Sequence, residues 1–267
     1  CKKEPYRQAM NAQSISYEVL TTRLLRNWVR CRRRAWLDRF EDRNKRIWTA
    51  HRTLQLNEQY QNFYNLLQVK AGRGIEACIK GDLGIIGLRL KGIGPSGEEI
   101  EAHPEMLQRI KGNSCWGDFA YRPVIARQGR RLSKEHRLAL TMIGKLLGDL
   151  QQAPVHQGLS ISKSSFYKGL YKEVVDLNDG AQKKLKDSLL KMAYDLNQNT
   201  PPPITNDRRK CTLCSWRGLC NSEASSTGHL SEVSGIGARR KQMLQEIGIN
   251  TIKDLATTDP ENLNSRL

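Results

Sequence analysis

Residues 207–220, DRRKCTLCSWRGLC, contain a C-x2-C-x5-C run with three cysteines, Cys211, Cys214 and Cys220. A closed thiolate site for zinc or an iron–sulfur cluster takes four ligands, so the run implies a fourth from elsewhere in the chain. C-x2-C brings two sulfurs from one turn to one centre and serves both kinds of site, so the spacing leaves zinc and cluster open. The fourth ligand is read as Cys31. The stretch VRCRRRAW sets it at an arginine-rich helix start, where a free thiol has no packing purpose and positive neighbours favour the thiolate. Cys78 and Cys115 lie in strand-like stretches and read as buried small apolar residues.

The seven cysteines form an odd set with one tight group, which speaks against a secreted disulfide framework and for ligation in a reducing compartment. A chain of 267 residues is long enough for one domain of moderate size plus a small appendage, with a core that needs no disulfides. Lys and Arg outnumber Asp and Glu by 44 to 27, a formal charge of +17, which points to a polyanionic partner, nucleic acid ahead of a membrane surface. No apolar run approaches the length of a membrane span.

Outward from the cysteines, residues 14–48 read as helical with a basic face, and a second helix is expected near QYQNFYNLL. DLGIIGLRLKGIG, EMLQRIKG and CWGDFAYRPVIARQG read as strands bounded by glycines. From Ser133, as N-cap, an amphipathic helix carries Leu140, Ile143, Leu147 and Leu150 on one stripe. Strands follow at VHQGLSI and YKEVVDL, then a helix over about 180–197. NTPPPITNDRRK is a linker, since its prolines cannot sit inside a helix. The order implies an α/β fold, a mixed sheet flanked by helices. After the serine-rich NSEASSTG, residues 228–267 read as a separate small α-helical module with short helices joined at Gly235-Ile236-Gly237.

An early lone Cys, a nuclease-like sheet and a late C-x2-C-x5-C resemble the iron–sulfur branch of the RecB-like nucleases. CRRRAWLDRF, GDFAYRPVIARQGRR, CTLCSWRGLC and GHLSEVSGIG together are similar to a cyanobacterial-type family of RecB-like nucleases that ends in a helix-hairpin-helix. The resemblance covers about residues 18–256. It implies a restriction-endonuclease-type core over 14–221 and a 4Fe-4S cluster on Cys31, Cys211, Cys214 and Cys220 that clasps the two ends of the domain; zinc is the alternative. Trp36 and Trp216 are expected to shield that centre.

Nucleases of this kind hold Mg2+ on carboxylates from neighbouring strands, followed two residues later by a Lys, because the ion takes hard oxygen ligands. The first acidic position matches Glu105. The acidic-x-Lys position matches Ile125-Ala126-Arg127, the Gln of the next helix matches Arg137, and an upstream His position matches Glu58. Ile125 cannot bind a metal, and a guanidinium stays protonated and cannot act as a base. Asp118 is the remaining candidate carboxylate, with Glu101 or Glu105 as its partner if the site is rebuilt elsewhere.

The module's VSGIGARRKQMLQEIGINTIKDLA resembles a helix-hairpin-helix, whose Gly-x-Gly turn offers backbone N–H groups to a DNA phosphate. Arg239, Arg240 and Lys241 are expected to supply counter-charge there, and Arg127, Arg130 and Arg131 to do so at the cleft. The reading is therefore a nuclease fold without catalysis that acts as a nucleic-acid-binding or scaffold protein, on DNA rather than RNA. The alternatives are an active Mg-dependent deoxyribonuclease and an assembly factor docked on a large complex. The cyanobacterial resemblance and the first residue, Cys1 in place of Met, suggest a processed plastid protein of the stroma or nucleoid; bacterial cytoplasm is the alternative.

Overall fold

A computed structural model describes residues 19–47, 50–67, 71–127, 131–163, 169–205 and 208–266. Arg130 lies outside the described residues. The elements run β1 (Leu20–Thr21), α1 (Thr22–Arg30), α2 (Arg32–Phe40), α3 (Ala50–Leu67), β2 (Gly72–Arg73), α4 (Gly74–Lys80), β3 (Gly84–Ile86), β4 (Leu90–Ile93), β5 (Glu99–Ala102), β6 (Met106–Ser114) and β7 (Gly117–Ala126). There follow α5 (Lys134–Gln151), β8 (Gln157–Lys163), β9 (Leu170–Asp176), α6 (Asp179–Leu196), α7 (Arg217–Ser226), α8 (Ala238–Glu246), α9 (Ile252–Thr257) and α10 (Pro260–Arg266).

Two mixed sheets result. The larger has the order β2-β3-β6-β7-β8-β9, and the smaller β1-β5-β4. β6 and β7 form a long antiparallel hairpin, and β7 pairs in parallel with β8, with Ile125 opposite Ser160. A parallel pair needs a long crossover, and α5 supplies it, packing on both strands and on α1 and α6. Its stripe of Leu140, Ile143 and Leu147 is buried as its periodicity demands, whereas Leu150 is exposed near the helix end. Ser133 holds the N-cap position in extended geometry, but its side chain makes no capping bond and meets His136 Nδ1 instead. The chain is thus an α/β protein with mixed sheets flanked by helices.

Residues 14–48 do not form one helix. Leu20 lies in a strand beside Ile100, Thr21 Oγ1 accepts from Leu24 N at 3.1 Å to start α1, and Cys31 breaks the helix in extended geometry. Periodicity alone could not show the break, because arginines on both sides keep the helical spacing. Cys78 is buried as expected, but in α4 rather than a strand, with Gly81 ending that helix at φ 75°. Cys115 is exposed in the turn between β6 and β7, not buried in a strand.

The C-terminal segment has its own core, in which Leu230, Leu244 and Ile249 are buried against Ile236, Ile247, Leu255 and Leu263. Before the glycine turn stands a 3₁₀ turn, Leu230–Glu232, instead of the expected first helix. No helix among the described residues is long and apolar enough to cross a membrane.

Candidate functional site

The acidic-x-Lys spacing puts its two side chains on one face of a strand, since strand side chains alternate. Ile125 and Arg127 therefore project to the same side at the end of β7. A cavity of about 430 Å³ opens there, lined by Ile125, Glu105, His103, Arg23 and Arg26 among others. Glu105 stands immediately before β6 and accepts from the Ala126 backbone N–H at 3.2 Å, which fixes it beside Ile125. Its other oxygen accepts from Arg26 Nη1 at 3.2 Å. Arg26 Nη2 in turn meets His136 Nε2 at 3.3 Å. Burial and the neighbouring Arg26 charge push His136 down to about 4, so it is neutral at pH 7 and able to accept from the guanidinium.

Arg127 is not a phosphate contact. It is 1% exposed, donates from Nε to Ser160 Oγ at 2.7 Å and from Nη2 to Glu173 Oε2 at 2.7 Å, and lies over the Tyr171 ring. Arg127, just past the end of β7, thus forms an ion pair with Glu173 of β9. Arg137 is exposed and reaches the same Glu173 only at 3.8 Å. Arg131 is exposed, just before α5.

Asp118 does not complete the site. It sits at the hairpin end of β7, eight residues from Ala126, which is about 27 Å along a strand. Glu101 is buried in β5 and taken up by Arg89 Nε at 2.8 Å and by His103. Burial works to raise that carboxyl, and the bonds from Arg89 and His103 overcome it and hold it below the usual range. Glu58 lies on α3, whose next residue, Gln59, donates to the Ala126 carbonyl at 3.3 Å. Glu58 itself does not line the cavity.

The four cysteines named from the sequence do share one place. Cys31, Cys211, Cys214 and Cys220 line a single cavity of about 370 Å³, together with Arg33, Arg34 and Trp216. The break at Cys31 explains the geometry: it is the N-cap of α2 in extended conformation, without a side-chain capping bond, and burial raises its thiol while the backbone N–H groups of Arg34 and Arg33 work to lower it. Trp216 is 0% exposed and donates to Asp38 Oδ1 at 2.9 Å, while Arg46 lies over its ring. Trp36 does not line the cavity; it packs on Phe40 and donates to the Gln198 carbonyl.

Burial pushes the Cys31, Cys211 and Cys220 thiols above their ordinary range, and the neighbouring cysteines add to the shift. Cationic groups oppose it. Arg33 is 4% exposed, donates to the Pro202 carbonyl at 2.9 Å and pairs with Glu223 of α7, and its charge works to lower the Cys220 thiol. The Nε atoms of Arg33 and Arg34 are buried without a hydrogen-bond partner among the described residues, and Arg34 Nε stands 4.0 Å from Asp38 Oδ2. Buried Arg33, with an N–H that lacks a hydrogen-bond partner among the described residues, fits an anionic occupant. Among the described residues, no group of three or more His, Cys, Asp or Glu is arranged to hold a metal ion.

In the C-terminal segment Gly235 adopts φ 85°, and Gly237 is the N-cap of α8, with no side-chain capping bond. Arg239 is exposed, and Arg240 donates to the Gly235 carbonyl at 2.8 Å, closing the turn. Lys241 is 4% exposed and meets His229 Nε2 at 2.5 Å, so it holds the segment together instead of facing a phosphate. Arg208, three residues before Cys211, reaches Ser231 Oγ at 3.3 Å and Glu232 at 3.7 Å, tying this segment to the cysteine run.

Arg26, His136, Glu173 and Arg33 were not singled out from the sequence. Arg26 and Arg33 were counted within a solvated basic face, and no local pattern pairs position 26 with 105 or 127 with 173.

No protein-family model and no curated protein matches the chain. Among solved structures, one described as "Crystal structure of SSO0001" is similar to it over 76% of this chain and 86% of that one, with TM-score 0.42 and 12% identity. At that distance the likeness leaves fold family and chemistry open.

Proposed function

We propose that this chain is a RecB-like nuclease fold that has lost catalysis, is clasped by a 4Fe-4S cluster, and acts as a nucleic-acid-binding or scaffold protein. The observation that carries the loss of catalysis is the Arg26–Glu105 pair. Mg2+ takes hard oxygen ligands, several of them anionic. The cavity at the end of β7 offers one carboxylate, already neutralised by a guanidinium, with apolar Ile125 beside it. These residues do not fit the ion. Arg26 supplies the positive charge that Glu105 would otherwise take from a metal.

The cysteine cavity supports the cluster. Four cysteines line one cavity together with Arg33 and Arg34, and a cube of iron and sulfide carried by four thiolates is anionic. A single zinc ion would draw all four sulfurs to about 2.3 Å from one point. When bound, the cluster supplies a covalent clasp between Cys31 and the Cys211–Cys220 run. The arginines offset its charge, and Trp216 excludes water from one wall.

The net charge of +17 supports a nucleic-acid partner. The test is the metal dependence of binding. A labelled DNA oligonucleotide should bind equally well in EDTA and in Mg2+, since cationic side chains and not a metal make the contacts. Loss of binding in EDTA, restored by Mg2+, would contradict the reading.

A further inference from the structure

α5 has two faces that do different things. Ala139 and Ile143 line the Glu105 cavity, whereas Lys134, Leu138 and Thr141 line another groove, about 150° away around the helix at 100° per residue. This second groove, about 970 Å³, runs between α5, β9, α6 and the start of α2. Its cationic lining is Arg32, Lys134, Arg137, Lys184 and Lys191, against two carboxylates, Asp176 and Asp187. A second cavity of about 630 Å³ lies on the other flank of α6, shares Asp187 with the first, and adds Lys145, Lys183 and Lys186. All eight cationic residues are exposed.

The charges are largely uncompensated. Arg32, Arg137 and Lys145 reach carboxylates only at 3.4–3.8 Å, and the five remaining lysines form no ion pair among the described residues. Holding so many like charges along α6 costs folding free energy, and a polyanion would recover it. The walls are also partly apolar: Val174 is 51% exposed in the first cavity and Ile93 62% exposed in the second.

We propose that these two cavities flanking α6 form a track for single-stranded nucleic acid that crosses the helix, with the lysines on the phosphates and Val174 and Ile93 under the bases. A single strand brings both backbone charge and base faces into a concave groove. A duplex would engage the cations and leave the apolar floor wet. The proposal rests on the nucleic-acid-binding reading above, but it needs neither the Glu105 cavity nor the glycine turn of the C-terminal segment.

The experiment is fluorescence anisotropy of the full chain with labelled oligo-dT, a duplex of the same length, and polyglutamate, over a salt series. The variants combine Lys134→Gln, Lys184→Gln, Lys186→Gln and Lys191→Gln, or the four corresponding Lys→Arg changes, with circular dichroism as the check on folding. Wild type should bind the single strand most tightly. The Gln variant should bind it roughly tenfold more weakly or worse, with the log–log salt slope reduced by about 0.7 for each lysine that contacts phosphate. The Arg variant should retain binding. Wild-type affinity in the Gln variant would overturn the groove while leaving nucleic-acid binding elsewhere intact. Preference for the duplex or for polyglutamate would overturn the single-strand assignment. Failure of the wild type to bind any nucleic acid would overturn both the groove and the reading on which it rests.

Discussion

Arg26 on α1 and Glu105 before β6, 79 positions apart in the chain, face each other at 3.2 Å in the cavity at the end of β7. A single carboxylate held by a guanidinium and by the Ala126 N–H has little left to offer a metal. Arg26→Ala alone should expose Glu105 without creating a metal site, because Ile125 still adds no oxygen. Mn2+ titration followed by electron paramagnetic resonance should detect no bound ion in wild type or Arg26→Ala. Ion binding should appear only when Ile125→Asp is added.

The Arg127–Glu173 pair predicts a stability effect, not a binding effect. Glu173→Ala removes a carboxylate from a guanidinium whose side chain is 0% exposed, and should cost about 3 kcal/mol in denaturant unfolding. Arg127→Met combined with Glu173→Leu should cost much less than the two single changes together, because it leaves no buried charge behind. A double-variant cost equal to the sum of the two single costs would show that the pair is not coupled.

His136 predicts a pH dependence. Its folded-state value, pushed down to about 4 by burial and Arg26, lies below the ordinary 6.5, so the unfolded chain takes up a proton that the folded chain refuses. Stability should therefore fall as pH drops from about 6.5 towards 4, by at most about 1.4 kcal/mol per pH unit from this residue. His136→Asn should flatten that stretch of the curve. An unchanged slope would assign the acid sensitivity to other groups.

The thiols should divide by environment. Cys115 is exposed in a turn and should react readily with an alkylating reagent near pH 8, while burial pushes Cys78 up to about 11 and should leave it unlabelled until the chain unfolds. Anaerobically purified protein should be brown. Cys31→Ser should bleach it and lower its unfolding midpoint, since the clasp closes a loop of about 180 residues. Colourless protein carrying one equivalent of zinc would overturn the cluster.

The parts legible in the sequence were those with local signals. The glycine-bounded run CWGDFAYRPVIARQG and the stripe of Leu140, Ile143 and Leu147 placed β7 and α5, and the C-x2-C-x5-C run together with the arginine-rich setting of Cys31 selected the four residues that line one cavity. What sequence could not give was pairing across distance. A run of arginines looks the same whether its members are solvated, as Arg32 largely is, or buried against partners, as Arg33 is. Arg127 and Lys241 were assigned to phosphates for that reason, although their partners Glu173 and His229 draw them inward. Asp118 had the right chemistry at the wrong end of its strand.

The central claim, a nuclease fold without catalysis, is tested most directly by incubating anaerobically purified wild-type protein with labelled single- and double-stranded DNA in Mg2+ and in Mn2+. The account predicts intact substrate in every lane, in the presence of bound protein. Metal-dependent cleavage by wild type that disappears in Glu105→Ala would contradict it and establish an active deoxyribonuclease.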